Sequence, residues 1–201
     1  MRIAFGLVVI AVLFGGANFA AQGPLPGDVT VTQVLQDVLG ADPRWAGWLT
    51  NTAKAPLLWG TLVVAAALAW RIAGLRGALA VPLADVLAFA ADTGLRAVMF
   101  ALRPDPTLVA VADPATSSGL PSTFGLVYGA MFGVALLAKA RWRRGWPLRA
   151  VAGALLVIGP AARIVLGGHW TSQMLASTAL GLVAALAALA IIQRIGKIRR
   201  A

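Results

Sequence analysis

The 201-residue chain is 60% hydrophobic and only 12% charged, with a mean hydropathy of +0.84, where soluble domains carry about 25% charged residues. This composition excludes a soluble protein and leaves room for one membrane bundle of about six spans at roughly 20 residues each. Cysteine and glutamate are absent and there is one histidine, which excludes disulfides and thiolate chemistry and argues against a metal cage.

The net charge of +10 would suggest a nucleic-acid partner in a soluble protein, but here it has to be mapped onto loops first. Arg2 precedes a long apolar run, residues 3–21. The run reads as a retained span rather than a cleaved signal, because it exceeds a usual signal core and Ala20-Ala21 is a poor cleavage site. Gly23-Pro24 and Pro26-Gly27 break it. In the polar stretch 28–54, Val31, Val34, Leu35, Val38 and Leu39 fall on one helical face, and Trp45 and Trp48 follow. That pattern predicts an amphipathic helix lying in the membrane interface, with a lid as the alternative.

Five more apolar runs cover about 55–70, 78–102, 121–138, 146–166 and 171–192. The expected fold is therefore all-α: a single membrane domain over 1–201, a six-helix bundle with an outer-side amphipathic helix. If the spans alternate, Arg2, Arg71, Arg76, Lys139, Arg141, Arg143, Arg144, Arg149, Arg194, Lys197, Arg199 and Arg200 all fall on one side. The positive-inside rule makes that side cytoplasmic. The basic excess is then a topology signal, with anionic lipid headgroups as its secondary partner and no nucleic acid needed. Gly125, Gly129 and Gly133, four apart, read as a close-packing helix face, and Pro160 predicts a kink near the outer end of the fifth span.

Three outer-side segments carry groups suited to a phosphate. Arg96 and Arg103-Pro104 are seven residues apart, which on a continuous helix puts both arginines on one face, with Asp92 one turn before Arg96 to pair with it. Pro121-Ser122-Thr123-Phe124 opens the fourth span, and such a helix start leaves backbone N–H groups for an anion. Arg163 and His169 stand at the outer end of the fifth span and in the loop after it. Arginine suits bidentate recognition of phosphate oxygens.

In order, spacing and placement, the three segments resemble the motifs of the type-2 phosphatidic acid phosphatase family: Lys, six residues, Arg-Pro; Pro-Ser-Gly-His; and Ser-Arg, five residues, His, three residues, Asp. The resemblance runs from Arg96 to Gln173, and the family's six-helix bundle would cover nearly the whole chain. It implies that Arg96, in place of the family's Lys, binds substrate phosphate with Arg103 and Arg163. It implies that Ser122, with Thr123 beside it, cradles that phosphate, and that His169 is the nucleophile that forms a phosphohistidine. The chain departs from the pattern at three places. Phe124 occupies the position of the histidine that protonates the leaving group, Gln173 that of the Asp that orients the nucleophile, and Ala162 that of the Ser before the arginine.

A positioned general acid contributes about 10²–10⁴ in rate, and with one histidine in the chain no second imidazole can supply it. Asp105, Asp113 or a water would be the remaining donors. A Gln173 oxygen could still accept the ring N–H of His169, without a negative charge. A lipid diphosphate, such as a polyprenyl diphosphate, tolerates the loss of the acid better than a lipid monophosphate, because its leaving group is itself a phosphate. The expected function is thus a lipid phosphate or diphosphate phosphohydrolase without metal or cofactor. The alternative is a non-catalytic relative that binds, presents or moves a phosphorylated lipid. The expected place is a bacterial inner membrane, with the motifs facing the periplasm or outside and both termini cytoplasmic.

Overall fold

The computed structural model describes residues 2–112, 114–140 and 145–198. Among them the chain forms helices and loops only: α1 (Arg2–Ala21), α2 (Asp28–Leu39), α3 (Arg44–Asn51), α4 (Leu57–Ala73), α5 (Leu75–Val98), α6 (Thr123–Leu137), α7 (Trp146–Val165) and α8 (Thr171–Ile198). By length and apolar composition α1, α5, α7 and α8 can cross a membrane, whereas α4 and α6 are apolar but shorter. At 15 residues and about 1.5 Å per residue, α6 falls short of a hydrocarbon core about 30 Å thick. It is the central helix, in contact with α4, α5, α7 and α8. Its residues from Phe124 to Ala135 are buried without interruption, so it needs no lipid-facing stripe.

Glycine sets the closest approach in the bundle. A Cβ added at Gly129 would lie 2.5 Å from the Thr178 carbonyl oxygen, and one at Gly125 would lie 2.9 Å from the Ser177 Cβ. The four-residue glycine spacing of α6 thus lets it lie against the backbone of α8, where Gly181 returns the contact against Leu126 and Gly129.

Several boundaries move from their expected places. Arg71 and Arg76 do not share a loop: Arg71 is in the last turn of α4, Arg76 in the first turn of α5, and Gly74 alone joins them with φ 72°. That left-handed conformation is costly for any residue with a Cβ. The polar stretch after α1 contains two helices rather than one, divided at Gly40 (φ 86°). Val31, Val34, Val38 and Leu39 of α2 are exposed. Its Gln33 and Gln36 amides donate to Leu108 and Ala110, and Gln36 also donates to Val165. Ala46 of α3 joins Ala162, Val165 and Leu166 in a small second core.

The third apolar run stops being helical at Val98, because Met99 is extended (φ −127°, ψ 132°). Arg103 is therefore not on a helical face with Arg96. The segment after α5 trades helical bonds for cross-loop ones: Ala101 N–H donates to Ser118 Oγ, and Gly119 N–H donates to the Ala101 carbonyl. Pro160 lies within α7, which runs on to Val165.

One end of the bundle holds the loops 99–122 and 166–170; Gln22, just after α1, donates to the Phe100 carbonyl of the first loop, and Asn18 of α1 donates to Ser172 at the start of α8. The opposite end holds Arg76 against Gly196, and Arg149 donating to the Ala138 carbonyl. The expected separation of basic residues from the motif segments holds for these. The basic residues Arg141, Arg143, Arg144, Arg199 and Arg200, and the side chain of Lys197, lie outside the described residues.

Replacing Gly129 with valine should lower bundle stability by about 1–3 kcal/mol through overpacking against α8. Gly153→Ala, at a position with nothing within 4 Å, should stay within about 1 kcal/mol of the parent. Thermal unfolding of both variants in detergent checks this.

Candidate active site

At the end that carries the motif segments lies a cavity of about 370 Å³ whose walls include Lys54, Arg96, Arg103, Thr123, Phe124, Arg163 and His169. Arg96 and His169, 73 positions apart in sequence, are brought together here with residues from three helix ends, two loops and the segment between α3 and α4. Arg96 comes from the last turn of α5 and Arg163 from the last turn of α7. Thr123 and Phe124 open α6. Arg103 and His169 sit on the loops above.

His169 is 2% exposed. Its Nδ1 lies 3.0 Å from the Gly119 carbonyl oxygen, an acceptor that requires the proton on Nδ1. Nε2 is then left with its lone pair, 3.4 Å from Nη1 of Arg103. Burial, followed by the charges of Arg163 and Arg103, holds the ring well below the usual histidine pKa, and the Gly119 bond opposes this only in part. The imidazole is therefore neutral at pH 7 and in the nucleophilic form.

The cations are themselves positioned. Arg103 Nε donates to the Ser117 carbonyl (2.7 Å) and Nη1 to the Gly168 carbonyl (2.8 Å). Arg163 packs its guanidinium on Gly168, where a Cβ would meet Cζ at 2.8 Å. Arg96 is tied to a carboxylate as well as to a carbonyl and a hydroxyl. Its Nε bonds both carboxylate oxygens of Asp92 at 3.1 Å, and Nη2 donates to the Pro121 carbonyl and to Thr123 Oγ1. The Arg96–Asp92 pair expected from the sequence is present, and the Thr123 hydroxyl donates to the same carboxylate.

Two of the expected site residues stand outside the cavity wall. Ser122 is fully buried. Its hydroxyl caps α6 by accepting from Gly125 N–H, and its own N–H donates to Ser177 Oγ at 2.8 Å. Gln173 is also fully buried and makes no bond to His169. Its Oε1 accepts from Trp170 N–H, while Nε2 donates to Asn18 Oδ1 and to the Leu102 carbonyl. The ring N–H that Gln173 was expected to receive goes to Gly119 instead. Gln173 reaches the histidine only indirectly, by packing on Gly119, where a Cβ would lie 2.6 Å from Nε2. Of the two carboxylates considered as proton donors, Asp105 is occupied by Thr107, whose N–H and hydroxyl both donate at 2.8 Å and hold its carboxyl below the usual range. It is not on the cavity wall. Asp113 lies outside the described residues.

The fold of the whole chain has a solved counterpart. A crystal structure described as the first transmembrane PAP2 type phosphatidylglycerolphosphate phosphatase, from Bacillus subtilis, superposes with a TM-score of 0.74 over 97% of this chain and 98% of that one, at 17% sequence identity. The two proteins share one fold. No family profile matches the sequence, and no curated protein matches it significantly.

Sequence reasoning missed four contributors. Lys54 and Thr50 line the cavity from the α3–α4 segment, far from any motif. The Gly119 carbonyl carries no side-chain signature at all. The fourth is a buried polar chain in which Asn18 donates to Ser172 Oγ, and Ser172 donates through N–H and hydroxyl to Asp28. A lone Asn in the apolar α1 is the kind of signal that could have exposed it, since polar groups at such depth are expensive unless partnered.

The single histidine makes the protonation state directly measurable. Imidazole ¹⁵N NMR of the detergent-solubilised protein should show the Nδ1–H form and a titration midpoint below 6.5. Arg163→Gln should move that midpoint upward by removing a repelling charge. A midpoint at or above 6.5 in the parent would contradict the buried, cation-flanked geometry.

Proposed function

We propose that the chain is an integral membrane phosphohydrolase of lipid phosphates that works through a covalent phosphohistidine at His169 and favours a diphosphate. The observation that carries the reading is the convergence of Arg96, Arg103 and Arg163 with a buried, neutral His169 on one cavity. The shared fold is consistent with it. The whole chain would form one membrane domain of six apolar helices, in which α1, α5, α7 and α8 are long enough to cross the bilayer by themselves and the shorter α4 and α6 complete the bundle between them. The basic end would face the cytoplasm by the positive-inside rule, with the cavity opening on the outer side and α2–α3 at the outer interface. In a bacterium this would be the inner membrane.

In the first step the Nε2 lone pair of His169 attacks the terminal phosphorus of the lipid diphosphate. The bond from that phosphorus to the bridging oxygen breaks, and its electron pair leaves on the lipid monophosphate. Arg103 and Arg163 offset charge on the phosphoryl oxygens as it shifts. Water then attacks the phosphorus, the Nε2–P bond breaks with its electron pair returning to Nε2, and the water's protons leave on the released inorganic phosphate, so the ring is again neutral with its proton on Nδ1. Gly119 does the orienting that the family assigns to an Asp, holding Nδ1–H so that Nε2 faces the cavity. It does so without the negative charge that would stabilise an imidazolium. Phe124 can give no proton, so a lipid monophosphate, which must leave as an alkoxide, is disfavoured by a factor within the about 10²–10⁴ of a positioned acid. Arg96, tied to Asp92, and Ser122, capping α6, act mainly by fixing Thr123 and the first turn of α6.

Phe124 and the turned-away Gln173 favour a second reading, in which the pocket binds a phosphorylated lipid without turning it over. Phosphate release from purified protein decides between them. The parent should release phosphate from a polyprenyl diphosphate at a kcat/KM about 10² or more above that for phosphatidic acid, with both activities lost in His169→Ala. Identical, background-level release by parent and variant on both lipids, with lipid binding retained, would establish the binder.

A further inference from the structure

The α3–α4 segment presents Lys54 to the same cavity that holds His169, and none of the three motifs accounts for it. The segment is well anchored. Thr52 Oγ1 and the Tyr128 hydroxyl share a hydrogen bond of 2.5 Å, Thr61 Oγ1 donates to the Thr52 carbonyl, and Lys54 N–H donates to the Asn51 carbonyl. Tyr128 in turn stacks on Phe124 with ring centroids 4.1 Å apart. The Lys54 backbone is thus fixed through Thr52 and Tyr128 to the residue that stands where a proton donor would be needed.

The Lys54 ammonium makes no ion pair and no side-chain hydrogen bond among the described residues. Arg96, in contrast, spends its Nε on a carboxylate and its Nη2 on a carbonyl and a hydroxyl. An ammonium at a cavity wall is a point charge with three donors, suited to an anion that arrives with a substrate.

The geometry points to Lys54 as an anion-binding residue for the second phosphate of a lipid diphosphate, the one that leaves with the lipid. Thr50 of α3 also lines the cavity, with its hydroxyl held by the Gly47 carbonyl. This rests on the hydrolase reading above and gives its diphosphate preference a residue. Where Phe124 offers no proton, Lys54 offsets the charge that accumulates on the departing phosphate when the bond to the terminal phosphorus breaks, and the arginines keep the phosphoryl group being transferred. No proton has to move in that step, since the bridging oxygen leaves as a phosphate oxygen. Two anionic groups joined by one oxygen then meet cations supplied by two different parts of the chain, and a single phosphate can engage only one set.

Two measurements on the full-length protein in detergent test this. In hydrolysis, Lys54→Gln should lower kcat/KM for a polyprenyl diphosphate by about tenfold or more beyond any loss on phosphatidic acid, as expected for a deleted charge-assisted contact, and Lys54→Arg should recover most of it. In calorimetric titration, inorganic diphosphate should bind the parent more tightly than orthophosphate, and Lys54→Gln should erase that preference. Equal losses on both lipids, or a diphosphate preference that survives Lys54→Gln, would overturn the assignment. A parent that hydrolyses neither lipid yet shows the Lys54-dependent preference would remove the hydrolase reading and leave the diphosphate subsite standing. Because Lys54 is exposed, a folding defect is not expected. The unfolding temperature of Lys54→Gln should match the parent's.

Discussion

The close approach of α6 to α8 is the contact on which the rest depends. Gly125 and Gly129 bring the two helices together where any side chain would hold them apart. Without a hydrophobic drive between helices in lipid, packing of this kind and hydrogen bonds between helices are what hold a bundle together. The helices also begin side by side. Ser122 N–H therefore reaches Ser177 Oγ, and the Gly119 carbonyl just before α6 reaches the ring of His169 just before α8. The site is in this sense a by-product of a helix contact made of glycine.

Around that contact the polar groups are divided into two communities. One is dry: Asn18, Asp28, Ser172 and Gln173 satisfy one another and the Leu102 carbonyl. They join α1 and the start of α2 to the start of α8, and buried polar groups are tolerated because each is bonded. The other faces the cavity, where Arg96, Arg103 and Arg163 line the same wall as His169. Burial and the arginine charges act in the same direction on that ring. An unprotonated imidazole is thus maintained without a carboxylate partner.

Several residues were readable by type and misplaced by geometry. Arg103 was legible as a cation at the motif end, where it lines the cavity, but the helix that would have aligned it with Arg96 ends at Val98, where loop bonds replace helical ones. The Arg96–Asp92 pair was legible because a one-turn spacing on a real helix is a local fact. Gln173 was legible only as a substituted position. Its partner is Asn18, 155 residues away in sequence, and no spacing rule reports a contact at that separation. Lys54 was passed over because it belongs to a polar stretch with no motif of its own.

From its sequence alone this protein is determined to be an apolar, all-helical membrane chain with one helix that carries a close-packing glycine face. Apolar content, period and charge placement are properties each segment carries by itself, and they survive whatever the neighbouring segments do. The tertiary structure alone decided that His169 is oriented by a backbone carbonyl, that Ser122 and Gln173 serve the packing around the cavity, and that Lys54 enters it. Each of those depends on which groups from distant segments fall within hydrogen-bonding reach, and that is set only when the helices pack.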